Sequence, residues 1–264
     1  MRAPVRRFLP LAALFVALSL ASACASGGAQ GNDGILIVTR AASGTAAASP
    51  GTPGPASSSA PQGPFATPTP DPASIDPATY GFAFPIEGAC LPSSDRLMPN
   101  APRDYRSGIH EGVDFYGVDN CVPIAQGTPV RAVADGVVIR ADLDYHDLTW
   151  EELDALNERV ANGHANDPDV LDAFRGRQVW IRHDNGVVTR YAHLGGIADG
   201  IVQGARVSKG EVIGYVGESG TPESLTAPGT EYHLHFEIRI GDTFLGQGLP
   251  PDQVRALYEQ AFTP

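Results

Sequence analysis

The sequence predicts a mainly β domain built of antiparallel strands, with a helical insertion inside it and a disordered linker in front of it. Three observations support this fold class. From residue 84 to about residue 244, apolar and polar residues alternate with the period of half-buried strands. Two-residue turn signals interrupt this alternation. One stretch, residues 145–176, instead has the caps and spacing of helices.

The first 23 residues are organised like a signal peptide. Three arginines precede an apolar run, Phe8 to Leu20, that is shorter than a membrane-spanning helix. Small residues in front of Cys24 resemble a bacterial lipobox, although Ala21 stands where leucine is preferred. The resemblance implies cleavage before Cys24 and a lipid on its sulfur. The protein would then lie outside the cytoplasm, held at the bacterial cell membrane by the lipid alone. Ordinary secretion after the same cleavage is the alternative.

Residues 25–80 have the composition of a disordered linker. They are rich in Ala, Ser, Gly, Pro and Thr, and such a segment buries too little apolar surface to offset the entropy of ordering. A flexible chain of this length has a root-mean-square reach of roughly 40 Å. We therefore expect it to act as a spacer between the membrane and the folded domain.

The folded domain is predicted to span residues 81–250, with a C-terminal helix or tail at 251–264. Three turn signals each separate two strand-like runs, and we expect a hairpin at each of them: Asp135-Gly136, Asn185-Gly186 and Lys209-Gly210. The last strand, residues 233–240, alternates clearly.

The helical insertion is predicted at residues 145–176. Thr149 and Glu152 form a capping box, Asn162-Gly163 is a stop signal, and Asp167-Pro168 begins a second helix. Between Ala141 and Gly176 there are ten acidic residues and two arginines, a net charge of −8. We expect an acidic, movable wall that favours partners with a free amine. The alternative is a solvated helix pair whose charge only maintains solubility.

Net charge and cysteine content narrow the function further. The formal charge of −12 argues against a nucleic-acid partner, because phosphate binding requires clustered Lys and Arg. Lipid on Cys24 leaves Cys90 and Cys121, and in an oxidising compartment these two predict a disulfide. Two free buried thiols are the alternative.

Histidines carry the strongest chemical signal. His233 and His235 alternate along a strand and therefore share one face, whereas Leu234 on the other face points into the core. His110 and Asp114, four residues apart, would share a face of another strand. Two histidines and an aspartate are a ligand set that Zn²⁺ uses in open catalytic sites. Surface histidines are the alternative for His233 and His235 taken alone.

Three motifs in order, "HEGVDF", "YAHL" and "HLHFEI", resemble peptidase family M23, the lysostaphin and LytM-type zinc endopeptidases. The resemblance covers roughly residues 84–245. It implies a LytM-type fold, one zinc ion per domain held by His110, Asp114 and His235, and catalysis by His233 as general base with His193 assisting. In this family the hairpins on either side of the insertion border the substrate groove, so the resemblance implies that the acidic wall lies over this groove and favours stem peptides with a free amine. The sequence departs from the family pattern at Gln178 and Tyr232, both of which would lie at the rim of the groove.

The family's substrates imply that the protein hydrolyses peptide bonds in peptidoglycan stem peptides or cross-bridges. Three other functions are compatible with the sequence. A non-catalytic wall-binding or activator module could share the fold, and a zinc peptidase could cut proteins instead. A carrier domain with a swinging arm is the third, because the segment around Lys209 also resembles a biotinyl or lipoyl hairpin.

Overall fold

The computed structural model describes residues 76–117 and 119–262. The predicted signal peptide, Cys24 and residues 25–75 of the predicted linker lie outside this part of the chain. The last residues of the predicted linker, 76–80, belong to the folded domain, since Pro77–Thr79 form a 3-10 turn and Tyr80 is buried in the core. Within these ranges, no helix combines the length and the apolar character that a membrane crossing requires.

The domain is mainly β, with short helices around the strands. The strands are β1 (Pro102–Arg103), β2 (Gly108–Ile109), β3 (Val113–Phe115), β4 (Pro129–Arg131), β5 (Gly136–Ala141), β6 (Val179–Arg182), β7 (Val188–Ala192), β8 (Leu194–Ile197), β9 (Arg206–Val207), β10 (Val212–Val216), β11 (Leu234–Ile240) and β12 (Thr243–Phe244). The helices are α1 (Trp150–Ala161), α2 (Pro168–Arg175), α3 (Glu223–Thr226) and α4 (Pro251–Ala261).

All the strand pairs are antiparallel. The largest sheet has seven strands in the order β12-β11-β7-β6-β5-β9, with β3 also paired to β11. A second sheet has the order β4-β10-β8, and β1 pairs with β2. Because β11 lies between β12, β3 and β7, one of its faces packs into the core, and the other face is left for the polar residues described below.

Only one of the three predicted hairpins forms. At Asn185-Gly186 the chain reverses and β6 pairs with β7, and Gly186 takes the positive φ of 83° that this turn requires. At Asp135-Gly136 the prediction is wrong, because β4 belongs to the small sheet and β5 to the large one. The same holds at Lys209-Gly210, which joins β9 to β10.

These two turns instead lie against each other. β4 pairs with β10 and β5 pairs with β9, so the two segments run side by side from one sheet into the other. The Lys209 backbone N–H donates to Asp135 Oδ1 at 2.6 Å, and its Nζ donates to the Gly81 carbonyl at 2.7 Å. Lys209 is therefore held at a corner between sheets, which argues against the carrier-domain alternative.

The helical insertion forms as predicted, between two paired strands. β5 and β6 pair with Ala141 opposite Val179, and α1 and α2 lie in the connection between them. Thr149 and Glu152 make the capping box at the start of α1, and Pro168 is the first residue of α2. The insertion therefore extends an existing pair of strands without interrupting the sheet.

The C-terminal helix α4 is part of the domain core. Val254, Tyr258 and Ala261 are buried and belong to the same apolar cluster as Phe236 of β11. The Phe82 backbone N–H donates to the Ala261 carbonyl at 2.9 Å, which ties the start of the domain to its end. One face of α4 is therefore packed against the core of the sheets.

The structure contains the Cys90–Cys121 disulfide, which joins two residues 31 positions apart. Closing a loop of this length restricts the unfolded chain and stabilises the fold by about 3–4 kcal/mol in the chain-entropy model. The bridge fixes the loop that follows β3, the strand that carries Asp114.

Candidate metal centre

Strand β11 places the HLH motif by simple alternation. Leu234, Phe236 and Ile238 have no exposed surface and pack into the core. His235 and Glu237 therefore lie on the opposite face, and His233 precedes the strand in a bridge to Gly217. The predicted separation of the two faces is confirmed.

His110 and Asp114 come together differently from the prediction. They do not share one strand, because β3 begins only at Val113 and His110 lies before it. Gly112 lies between them, close against β11, where a Cβ atom would lie 2.3 Å from the Phe236 carbonyl oxygen. Only glycine permits this approach. It sets Asp114 directly opposite His235 in the β3–β11 pair.

Three side-chain atoms converge at this point. His110 Nε2 lies 2.9 Å from Asp114 Oδ1 and 3.0 Å from His235 Nδ1, and His235 Nδ1 lies 2.9 Å from Asp114 Oδ1. All three residues are buried. They form a group of potential metal ligands whose atoms lie within 4.8 Å of one another.

The hydrogen bonds of the other ring nitrogens fix the tautomers. His110 Nδ1 lies 3.1 Å from the Met98 carbonyl, and His235 Nε2 lies 3.0 Å from Glu237 Oε1. Carbonyl and carboxylate oxygens only accept, so in the neutral rings these nitrogens carry the protons. His110 Nε2 and His235 Nδ1 then point lone pairs at each other and at the Asp114 carboxylate. Such a cluster is repulsive unless a proton or a cation lies inside it.

The pKa shifts of His110, Asp114 and His235 also indicate that a proton or a cation lies inside the cluster. Burial lowers the pKa of His110 to about 4. Burial also opposes ionisation of Asp114, but the charge of His110 and the hydrogen bonds of both histidines hold its pKa well below the usual range. Against the cost of burial, the hydrogen bonds of His235 to Asp114 and Glu237 favour the protonated ring and raise its pKa instead. A cation in place of that proton would face two neutral imidazoles and one carboxylate, a ligand set that Zn²⁺ uses, and the atoms lie nearly as far apart as the roughly 3.3 Å expected around a tetrahedral zinc ion. The residues present therefore fit zinc.

His233 and His193 lie beside this cluster. Their ring centroids are 4.6 Å apart, and His233 Nε2 is 3.9 Å from Asp114 Oδ1. His233 Nδ1 faces the Glu231 carbonyl at 2.7 Å, and His193 Nδ1 faces the Ser219 carbonyl at 2.9 Å. Both rings therefore offer Nε2 lone pairs to the site, and burial lowers the pKa of each.

The backbone of His193 is in the left-handed region, with φ of 57°. This conformation is uncommon for a residue with a side chain, and such residues concentrate at functional sites. Here it occurs between β7 and β8 and turns the ring towards His233. The structure thus brings all five predicted site residues together.

The sequence prediction missed the residues that support the cluster. Glu237 has no exposed surface, and besides His235 it contacts Arg175, Arg190 and Arg239. The alternation that placed His233 and His235 on one face also places Glu237 there, so the signal was present in the sequence. Arg175 comes from the end of α2, and no local pattern predicts that contact.

Two more supporting residues come from the segment around β3. Arg103 Nη2 donates to Asp114 Oδ2 at 2.9 Å, which leaves Oδ1 to face the histidines. Tyr116 stacks on His233 with ring centroids 4.4 Å apart, and its hydroxyl donates to Glu231 Oε2 at 2.6 Å. These contacts depend on long-range packing, which the sequence alone does not show.

A cavity of about 750 Å³ opens over the cluster. The helical insertion contributes five lining residues, Asn157, Val160, Leu171, Phe174 and Arg175. The predicted acidic wall is wrong, because none of the ten acids in this fully described stretch lines the cavity. Instead, Asp142 and Asp172 pair with Arg140, and Arg159 pairs with two further acids of the insertion.

The arrangement is thus a β domain with a His/Asp/His cluster under a cavity, and part of its sequence matches a known family. Residues 159–247 match the sequence model of a family described as Peptidase family M23. The match includes His193, His233 and His235 and begins after Asp114. Residues 159–247 are therefore similar to peptidase family M23.

Curated relatives are similar over about half of this chain. It is 36% identical over 154 residues to a protein of Neisseria meningitidis named DD-carboxypeptidase/endopeptidase Mpg, covering 55% of this chain and 23% of that protein. It is 31% identical over 139 residues to Peptidoglycan DD-endopeptidase ShyA of Vibrio cholerae, covering 53% and 22%. The match to the L-Ala--D-Glu endopeptidase of Bacillus subtilis is 31% over 128 residues, covering 48% and 28%. The chain thus spans about a quarter of the length of these relatives.

Solved structures give looser matches. A zinc containing peptidase from Vibrio cholerae is 22% identical with a TM-score of 0.39, covering 64% of this chain and 41% of that one. The catalytic domain of lysostaphin from Staphylococcus simulans is 22% identical with a TM-score of 0.36, covering 60% and 88%.

Proposed function

We propose that the domain is a zinc-dependent endopeptidase that hydrolyses peptide bonds in peptidoglycan stem peptides or cross-bridges. One observation carries the proposal: the tautomers of His110 and His235 direct two lone pairs at the Asp114 carboxylate, beneath a cavity that is large enough for a peptide. The relatives named as peptidoglycan endopeptidases support the choice of substrate.

His110, Asp114 and His235 would hold one zinc ion. When bound, zinc supplies Lewis-acid chemistry, since it makes a water molecule more acidic and polarises a carbonyl group. Glu237 and the Met98 carbonyl keep the two histidines in the ligating tautomer and orientation.

His233 is placed to accept a proton. Its Nδ1 is occupied by the Glu231 carbonyl, so Nε2 is the basic atom, and the stacked Tyr116 ring holds it in place. His193 offers a second Nε2 on the adjacent side of the site. It can hold or return a proton when the leaving amine departs.

The function is tested by digesting purified peptidoglycan and identifying the fragments by mass. We expect the zinc-loaded protein to release uncross-linked peptides, a chelator to stop the reaction, and added zinc to restore it. Unfolded casein serves as a parallel substrate, since cleavage of casein but not of peptidoglycan would indicate a protein-cutting peptidase. Binding to the wall without any cleavage would identify a non-catalytic module and contradict the proposal.

We also propose that the protein is attached to the outside of a bacterial membrane by a lipid on Cys24. The support is the sequence around Cys24, together with a disulfide that suits an oxidising compartment. In the native host, Cys24→Ser is expected to move the protein from the membrane fraction to the soluble fraction. The control Ser26→Ala should leave the protein in the membrane fraction. Equal fractionation of Cys24→Ser and the unaltered protein would favour ordinary secretion.

A further inference from the structure

The cavity contains a buried guanidinium that no carboxylate among the described residues neutralises. Arg106 is only 8% exposed and lines the cavity. Its donors go to two neutral acceptors, Asn166 Oδ1 at 2.7 Å and the Ile109 carbonyl. Buried charges in proteins are normally paired, so this cation is incomplete without an anion.

A second guanidinium, that of the exposed Arg96, also lines the cavity. The Arg96 side chain makes no hydrogen bond or ion pair with any described residue, although its carbonyl accepts from Arg103 Nη1 at 2.9 Å. The other arginines of the cavity are neutralised, since Arg103 pairs with Asp114 and Arg175 pairs with Glu111 and Glu237.

The cavity also contains two acids that no arginine neutralises. Glu231 accepts from the Tyr116 hydroxyl beside His233, and Glu223 lies in α3. Arg106 belongs to a different wall, next to the helical insertion. Glu231 therefore lies beside His233 and Arg106 lies beside the insertion, and this separation of opposite charges suits a substrate that carries an anionic group at a defined position.

The wall around Arg106 is closed by the insertion. Besides the bond from Arg106, Asn166 Nδ2 donates to the Ser107 carbonyl at 3.5 Å, so the connection between α1 and α2 meets the segment before β2. Val160, Leu171 and Phe174 add an apolar surface to the same cavity. Such a surface excludes water and strengthens an ion pair formed next to it.

We propose that this closed wall binds a free carboxylate of the peptide substrate, with Arg106 as the direct partner and Arg96 as the second cation. The inference rests on the proposed peptidase function and makes it more specific. Peptides with a free carboxylate near the scissile bond are bound, whereas peptides in which that group is a carboxamide are discriminated against. This preference is the reverse of the one that the acidic composition of the insertion predicts.

The test measures binding separately from cleavage. Fluorescently labelled stem tetrapeptides, amidated at one carboxylate at a time, are titrated against the full chain in the presence of a chelator. We expect one amidation to weaken binding about tenfold, the size of one lost charge-assisted hydrogen bond pair. Arg106→Gln should bind the free acid and that amide equally, and Arg96→Gln should reduce the difference.

The matched control is Arg182→Gln, an exposed arginine outside the cavity, which should keep the full difference. Circular dichroism checks the fold of each variant. If Arg106→Gln does not fold, Asn166→Ala takes its place, because Asn166 is exposed and its loss frees Arg106 from its position. Equal binding of all acid and amide pairs by the unaltered protein would overturn the inference. Discrimination without cleavage after zinc is restored would support this inference and refute the proposed function.

Discussion

His235→Ala is expected to abolish both zinc binding and peptidoglycan cleavage, whereas His233→Ala should keep the zinc and lose the activity. His235 Nδ1 is one of the three converging ligand atoms, and its removal leaves only His110 and Asp114. His233 Nε2 lies 3.9 Å from Asp114 and outside that triangle, so its loss removes a base without removing a ligand. Removal of a general base lowers rates by roughly 10²–10⁴-fold.

Zinc content by elemental mass spectrometry and cleavage by fragment analysis give the two readouts. His146→Ala is the control, because His146 is an exposed histidine of the insertion and should change neither. If His233→Ala also lost the zinc, His233 would be a ligand and its role as base would be wrong.

Glu237→Gln is expected to weaken both the fold and the metal site. The carboxylate has no exposed surface, orients His235 and neutralises parts of Arg175, Arg190 and Arg239. Removal of one partner from a buried ion pair costs roughly 3–5 kcal/mol of unfolding free energy. Loss of the residue that orients a metal ligand reduces metal affinity by roughly 10–100-fold.

Denaturant unfolding and competitive zinc titration measure the two effects independently. Glu87→Gln is the matched control, because Glu87 pairs with Arg131 through a side chain that is 81% exposed, and exposed pairs contribute little. A Glu237→Gln protein with unchanged unfolding midpoint and unchanged zinc affinity would contradict the support role.

The sequence predicts site residues correctly where they lie in one regular strand, because alternation along the strand decides which side chains share a face. The alternation along β11 placed His233 and His235 on one face, because this strand is regular and has core residues on its other face. The same alternation places Glu237 on this face, but its burial does not follow from the pattern, because a glutamate in a strand is usually exposed. His110 lies before β3, so the strand alternation does not place it beside Asp114. Its position in the site depends instead on the close packing of Gly112 against β11.

The strand pairing could be read only in part. A two-residue Asp-Gly or Lys-Gly signal reports that the chain turns, and it does not report which strands pair. At Asn185-Gly186 the flanking strands are in one sheet, whereas at Asp135-Gly136 they enter different sheets. Which strands pair depends on contacts between segments that are far apart in the sequence, such as the hydrogen bond between Lys209 and Asp135, which are 74 residues apart.

The prediction of an acidic wall from the charge of the insertion was wrong for a related reason. Composition gives the number of acids, and it does not give the direction in which they point. In the structure four of the ten acids pair with Arg140 or Arg159 and none lines the cavity, while α1 and α2 contribute apolar side chains to it. The net charge of a segment therefore did not predict the charge of its functional face.

Arg175 sets a limit on how this domain could be re-engineered. It is the final residue of α2, and its guanidinium reaches Glu111 and the buried Glu237. A version of the domain from which α1 and α2 are removed together with Arg175 would therefore lose a counter-charge of Glu237, the residue that hydrogen-bonds to His235. A shortened version would have to keep Arg175 in the connection that leads into β6. Conversely, grafting α1 and α2 onto another β pair would introduce an unmatched cation unless the recipient already offered a buried carboxylate at the corresponding position.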